Sequence, residues 1–224
     1  MRLLIFDCDG TIVDSQNAIV AAMAAAFAAE GLTPPARAST LGIVGLSLLP
    51  AIQRLAPHEP IERQHALVER YRLAAAEVRA RKAEEPLFPG AASTIAALGA
   101  RQDTWLGIAT GKSRRGVDRL LAENGWQDYF TTIQTADDNP SKPHPAMVER
   151  AMAETGAHAA ATVLIGDTTF DMEMAKAAGA AAIGVSWGYH PVGNLIAAGA
   201  DMIVDTYAAL EQACDDVLGE RTRR

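Results

Sequence analysis

The sequence predicts an α/β fold: a doubly wound parallel sheet, Rossmann-like, carrying an inserted helical domain. Three observations predict it. An apolar run, Leu3-Leu4-Ile5-Phe6, opens the chain and ends in Asp7-Cys8-Asp9-Gly10-Thr11. From residue 104 onward, short apolar runs alternate with helical patterns. Between these, residues 15–85 show helical spacing and no parallel-strand signal. Repeated βα units imply a parallel sheet with helices on both faces. Strands covered on both faces read as continuous apolar runs.

The elements follow in order. Residues 2–7 read as the first strand, and Gly10-Thr11 as a turn. The pattern from Gln16 to Glu30 is helical and is stopped by Gly31, with Pro34 and Pro35 beyond it. Residues 36–57 are irregular to helical, and Gly42 and Gly45 mark a loop within them. Residues 61–84 read as a long charged helix, with Leu67, Val68, Tyr71, Ala74, Ala75 and Val78 at helical spacing. Pro86 to Gly90 reads as a linker. Strands are then expected at 104–109, 130–135, 162–166, 181–186 and 201–205. Helices are expected at 114–123, 144–154, 171–178, near 193–198, and at 207–217. The expected division is a core of residues 1–14 and 86–224, with a helical domain of residues 15–85.

Composition narrows the function classes. With 49% apolar residues the chain can bury a sizeable core. A net charge of −7 argues against a nucleic-acid-binding surface. The helical insert holds eight Lys/Arg against seven Asp/Glu, so the acidic excess sits on the core, where carboxylates can hold a metal. Cys8 and Cys214 are few and far apart, which implies no disulfide framework and an intracellular, cytoplasmic protein. The first strand begins too early to leave room for a secretory leader. The longest apolar stretch, Ala18 to Ala29, is shorter than the roughly 20 residues a membrane helix needs, so no membrane partner is expected. Monomer and homodimer both remain open.

Four short segments follow expected strands: Asp7-x-Asp9-Gly10-Thr11, Ala109-Thr110-Gly111-Lys112, Ser141-Lys142-Pro143, and Gly166-Asp167-Thr168-Thr169-Phe170-Asp171. Parallel strands point their carboxyl ends the same way, so the four should converge on one crevice. Together they supply carboxylates, a hydroxyl, an ammonium and glycine-flanked amides. A phosphate ester calls for such a set. Mg²⁺ prefers oxygen ligands. Metal and lysine neutralise the non-bridging oxygens while a carboxylate attacks phosphorus. A backbone nest and the threonine hydroxyl hold the remaining oxygens.

Rival chemistries fail on spacing. A Cys-x5-Arg phosphatase signature starting at Cys8 would need arginine at position 14, which is Asp14. Side-chain alternation turns Cys8 away from Asp7 and Asp9. Gly107 to Ser113 is one residue short of a Walker A loop, and no Gly-x-Gly-x-x-Gly follows a strand. The five histidines lack paired metal-ligand spacing, so zinc is unsupported.

The order and types of these residues resemble the haloacid dehalogenase superfamily of phosphohydrolases. They resemble most its branch with a helical cap after the first strand, which includes the phosphoglycolate phosphatases. Asp7 to Ser15, Phe88-Pro89-Gly90, Thr110-Gly111-Lys112, Lys142-Pro143, Gly166 to Asp171, and Trp187-Gly188-Tyr189 followed by Ala198 to Asp201 carry the resemblance. It implies a Mg²⁺-dependent phosphomonoesterase acting on a small phosphorylated metabolite. Asp7 would be the nucleophile and a metal ligand. Asp9 would be the general acid and base and would lend its carbonyl to the metal. Thr110, Gly10 and Gly111 would bind phosphate, and Lys142 would neutralise it. Asp167 would be a metal ligand, and Asp171 would support it or Lys142. Gly42, Gly45, Leu46 and Ser47, in the cap loop, are the expected specificity residues. Arg37, Arg54, Arg114 and Arg115 are expected either to pair with a substrate carboxylate or to be solvated surface charges. Trp187 and Tyr189 read as packing or loop anchors. The dehalogenases of the superfamily lack the second aspartate. Phosphomutases share the aspartate pair and the cap, and a binding or regulatory protein could keep the fold; both alternatives stay open.

Overall fold

The computed structural model describes residues 1–80 and 85–222. Six strands form one parallel sheet: β1 (Arg2–Phe6), β2 (Thr104–Thr110), β3 (Phe130–Thr135), β4 (Thr162–Gly166), β5 (Ala181–Val185) and β6 (Met202–Val204). Their spatial order is β3-β2-β1-β4-β5-β6. The chain steps outward from β1 to one edge, then returns to fill the other side of it. The reversal places the carboxyl ends of β1 and β4 side by side, where open α/β sheets bind ligands. Leu3, Leu4, Ile5 and Phe6 of β1 are wholly buried, each adding about 1.5–3 kcal/mol of apolar burial.

Among the described residues, four helices lie between Asp14 and Pro86: α1 (Gln16–Ala29), α2 (Arg37–Leu41), α3 (Leu48–Leu55) and α4 (Ile61–Ala80). They share their own apolar cluster, built on Met23, Phe27, Ile52, Leu67 and Val68. The entering and leaving segments run together. Asp14 N donates to Pro86 O at 2.8 Å, and Phe88 N donates to Ile12 O at 3.0 Å. Val13 and Leu87 form an antiparallel bridge between those bonds. The expected helix at 61–84 is present through Ala80; residues 81–84 lie outside the described residues.

The remaining helices cover the sheet. α5 (Ala91–Gly99), α6 (Arg114–Asn124) and α10 (Tyr207–Thr222) pack on one face, over Leu4, Phe6, Leu106 and Ile108. α7 (Ala146–Thr155), α8 (Thr169–Ala177) and α9 (Val192–Ala197) pack on the other, over Leu3, Ile5 and Leu164.

Two differences from expectation have physical reasons. The sequence reading contains no helix at 91–99. A nine-residue segment is marginal as an isolated helix. It forms here because Ala91, Ile95 and Leu98 are buried against the sheet. The expected helix at 171–178 starts two residues earlier, because Thr168 caps it. Thr168 Oγ1 accepts from the Asp171 amide while the Asp171 carboxylate accepts from the Thr168 amide.

Candidate active site

Asp7 is the first residue beyond β1, and its amide is tied to the Ile165 carbonyl of β4 at 2.9 Å. Its side chain is 1% exposed. Asp7 Oδ1 lies 2.9 Å from Lys142 Nζ, yet neither carboxylate oxygen has an aligned hydrogen-bond partner. The contact is an ion pair, and both oxygens keep lone pairs free toward the cleft that Asp7 lines. Burial pushes the Asp7 carboxyl up to about 6; Lys142 pulls it down, and Asp171 pushes it up again.

Lys142 Nζ donates to Asp171 Oδ1 at 2.6 Å. Burial alone would lower this ammonium, but Asp171 and Asp7 hold it above the usual lysine range. Asp171 Oδ2 accepts from Thr168 N at 3.1 Å and Thr168 Oγ1 at 2.6 Å. Every oxygen of Asp171 is thus engaged. It acts as the counter-ion of Lys142 and the N-terminal cap partner of α8.

Asp167 follows β4. Its Oδ1 accepts from Thr11 Oγ1 at 3.0 Å and its Oδ2 from Tyr189 N at 2.8 Å. Burial, then the charges of Asp7 and Asp171, push its carboxyl well above the ordinary range. Oxygens of Asp7, Asp167 and Asp171 lie within 4.8 Å of one another. Two mutually repelling buried carboxylates and an unpartnered pair of oxygens on Asp7 fit a divalent cation bound by oxygen ligands. Such a cation would relieve the repulsion that burial imposes.

Asp9 takes a different partner. Lys112 Nζ lies 2.6 Å from Asp9 Oδ1 and 3.6 Å from Glu85 Oε2. Burial would lower Lys112, but Asp9 and Glu85 hold it above its usual range. Thr110 Oγ1 accepts from Lys112 N at 3.2 Å, which leaves its hydroxyl hydrogen to donate elsewhere. Cys8 is wholly buried in the sheet's core, and burial pushes its thiol up, so it is no thiolate nucleophile.

The glycines act by leaving space. At Gly10, with φ +88°, an added Cβ would stand 2.2 Å from Asp167 Oδ2. Its amide donates to Val13 O at 2.9 Å, and the residue shapes the loop around Asp167. At Gly111 a Cβ would meet Leu46 O at 2.6 Å and Gly45 O at 2.7 Å. The loop between α2 and α3 therefore rests directly on the Thr110-Gly111 turn. Ser47 N donates to Ser141 Oγ at 2.9 Å, fixing the same loop beside Lys142.

A cleft of about 720 Å³ opens between the sheet ends and the helical insert. Asp7, Asp9, Thr110 and Gly111 form its floor, with Gly45, Leu46 and Ser47 on its wall. Lys142, Asp167 and Asp171 sit behind the floor, fully buried. Gly42 ends α2 and is not in the cleft wall. Of the four arginines singled out in the sequence, Arg115 alone lines the cleft. Arg37 donates to Gln16 and Asn17, Arg54 lies over the Phe170 ring at 4.8 Å, and Arg114 pairs with Asp118. Trp187 and Tyr189 serve as anchors: Trp187 Nε1 donates to Thr11 O at 3.1 Å, and Tyr189 OH accepts from Ser15 N at 3.0 Å.

Sequence reasoning gave no role to Lys112, Glu85 or Tyr71. Lys112 adjoins a motif already singled out, but its ion pair with Asp9 spans 103 positions. Tyr71 reads as core because helical periodicity reports a face, not whether that face meets a core or a cleft.

The model of the haloacid dehalogenase-like hydrolase family matches residues 4–185. This chain belongs to that family. The chain is 39% identical over 219 residues to the "Probable phosphatase IndB" of Dickeya dadantii (strain 3937), covering 96% of this chain and 94% of the relative. It is 32% identical over 193 residues to a phosphoglycolate phosphatase of Yersinia pestis, covering 85% and 83%. A solved hydrolase from Pseudomonas syringae superposes with a TM-score of 0.85 at 26% identity, covering 96% of this chain and 99% of that one. The fold of this haloacid dehalogenase-like hydrolase is thus shared with that solved hydrolase. No helix of the described residues is long and apolar enough to cross a membrane.

Proposed function

We propose that this chain is a Mg²⁺-dependent phosphomonoesterase that works through an aspartyl-phosphate on Asp7, with residues 15–85 serving as a cap over the site. The observation that carries the reading is Asp7 itself. It is a buried carboxylate with both oxygens unpartnered, held beside Lys142 at the floor of an open cleft. The phosphatase relatives support the reaction class.

In the first step an Asp7 oxygen attacks phosphorus, and the ester P–O bond breaks. Asp9 gives its proton to the departing oxygen, so the product leaves as an alcohol. In the second step Asp9 takes a proton from water, the resulting hydroxyl attacks phosphorus, and the Asp7–phosphorus bond breaks. Inorganic phosphate leaves and Asp7 is restored. Lys142 neutralises charge on the phosphoryl oxygens from behind the floor, and the Thr110 hydroxyl donates to one of them. Asp171 keeps Lys142 in place. Mg²⁺, held by Asp7, Asp167 and the Asp9 carbonyl, would supply further charge neutralisation on the phosphoryl group. The loop carrying Gly45, Leu46 and Ser47 excludes bulk water. Phosphoglycolate is the substrate suggested by the named relatives.

A panel of phosphate esters, assayed for released phosphate, tests this reading. Activity should require Mg²⁺, disappear with a chelator and return when the metal is restored. Asp7→Asn should abolish turnover while leaving thermal unfolding cooperative. Undiminished hydrolysis by Asp7→Asn would remove Asp7 as nucleophile. Phosphate moved between two hydroxyls of a sugar, rather than to water, would mark a mutase.

A further inference from the structure

The cleft has a second chemically distinct end. Arg72 and Arg79 of α4 line one wall, and Arg115 and Arg119 of α6 line another. Arg115 and Arg119 are four residues apart, hence on one helix face and about 6 Å apart along the axis. They follow directly on the Thr110-Gly111-Lys112 turn, so they continue the cleft away from the Asp7 floor. Partial burial, then the guanidinium of Arg119, lower Arg79 from its usual range, and Arg115 adds to the effect. Three cationic heads from two elements thus face a common space. Arg119 has a partner in Glu123 at 3.6 Å, and Arg72 in Glu69 at 2.5 Å. Arg79 and Arg115 form no ion pair among the described residues.

This clustering runs against the charge of the molecule. The chain carries −7 overall, yet four arginines line this opening against two carboxylates, Glu85 and Asp137, and Glu85 is drawn toward Lys112 at 3.6 Å. Between rim and floor the wall is apolar, with Met23, Val68, Tyr71 and Val78. A volume of about 720 Å³ is far more than a phosphoryl group with a two-carbon acid would fill. Guanidinium groups bind carboxylate and phosphate in bidentate fashion.

We propose that Arg79, Arg115 and Arg119 form a subsite for a second anion at the far end of the leaving group. The preferred substrates are then phosphate esters longer than phosphoglycolate, with an apolar or ring-like middle and a distal carboxylate or phosphate. The inference rests on the proposed phosphoester chemistry for the position of the first anion.

The test measures binding apart from turnover. Calorimetry on Mg²⁺-loaded Asp7→Asn protein would compare esters of equal length with and without a distal anion. The probes are 4-phosphooxybutanoate, 4-phosphooxybutanol and butane-1,4-diol bisphosphate, with phosphoglycolate as the short reference. The two distal anions should each bind about 10–100-fold tighter than the alcohol, the range expected of charge-assisted hydrogen bonds. The advantage should exceed that of phosphoglycolate and collapse when Arg79→Gln and Arg115→Gln are combined. The carboxylate and bisphosphate arms tell which anion is preferred. Equal binding of acid and alcohol, or a preference unchanged in the double variant, would overturn the subsite. Phosphoglycolate binding best, indifferent to both arginines, would overturn it as well. An anion preference in this variant, together with wild-type protein that releases phosphate from none of these esters, would uphold the subsite and remove the phosphoesterase reading instead.

Discussion

The sheet ends and the helical insert face each other across one cleft and are built on opposite lines. On the sheet side the charges are buried or half-buried and mostly partnered: Lys142 with Asp171, Lys112 with Asp9, and Asp167 with Thr11 and Tyr189. Asp7 is the exception: it shares Lys142 with Asp171, and neither of its oxygens has a hydrogen-bond partner. On the insert side the wall is largely apolar, and its charged groups, Arg72, Arg79 and Glu85, lie at the rim. A buried network holds fixed geometry because each partner is costly to misplace. An apolar wall with a charged rim accepts different shapes at small cost. Under the proposed reading, the sheet side carries the reaction and the insert selects the molecule.

Three experiments would break or sharpen this contrast. The largest effect belongs to the sheet side. Asp9→Asn should lower kcat by on the order of 10²–10⁴, the usual contribution of general acid–base catalysis, with KM little changed. A loss confined to KM would move Asp9 from chemistry to binding. Next is the seam between the two sides. Gly111→Ala would drive a Cβ into the carbonyls of Gly45 and Leu46, so the loop must lift. A displacement of this kind should cost kcat/KM on the order of 10². Unchanged kinetics would show that contact of the loop with Gly111 is not the working arrangement.

The smallest effect is on stability. Asp7 sits at about 6 in the folded chain against 3.8 for the free side chain. The folded state therefore binds more protons between these values, and stability falls as pH rises through that window. In metal-free protein at pH 7.5, Asp7→Asn should raise stability by on the order of 1–3 kcal/mol relative to wild type. The gain should vanish near pH 4. Urea unfolding with a chelator present, at both pH values, measures it. A gain of the same size at both would show that Asp7 is not the group titrating.

Much of the sheet was readable from the chain. Strands buried on both faces leave unbroken apolar runs, so β1 to β6 appear in the sequence with ends correct to within one residue or so. The four motifs are also local: each is a few residues after a strand, and parallel topology alone brings them together. α5 was not readable, because Ala91–Gly99 is too short to be stable as an isolated helix and is held by the sheet beneath it.

The sequence by itself determined the proposed reacting set: two aspartates after β1, a threonine after β2, a lysine beyond β3 and two aspartates after β4. Tertiary structure decided how those charges divide. Asp171 belongs to Lys142, Asp9 belongs to Lys112, and the Gly10 amide donates to Val13. Only the fold could bring Arg79 of one helix against Arg115 and Arg119 of another. The reason is physical: strand and helix patterns record burial along the chain, whereas a pair of charges is a distance between segments that sequence separation does not encode.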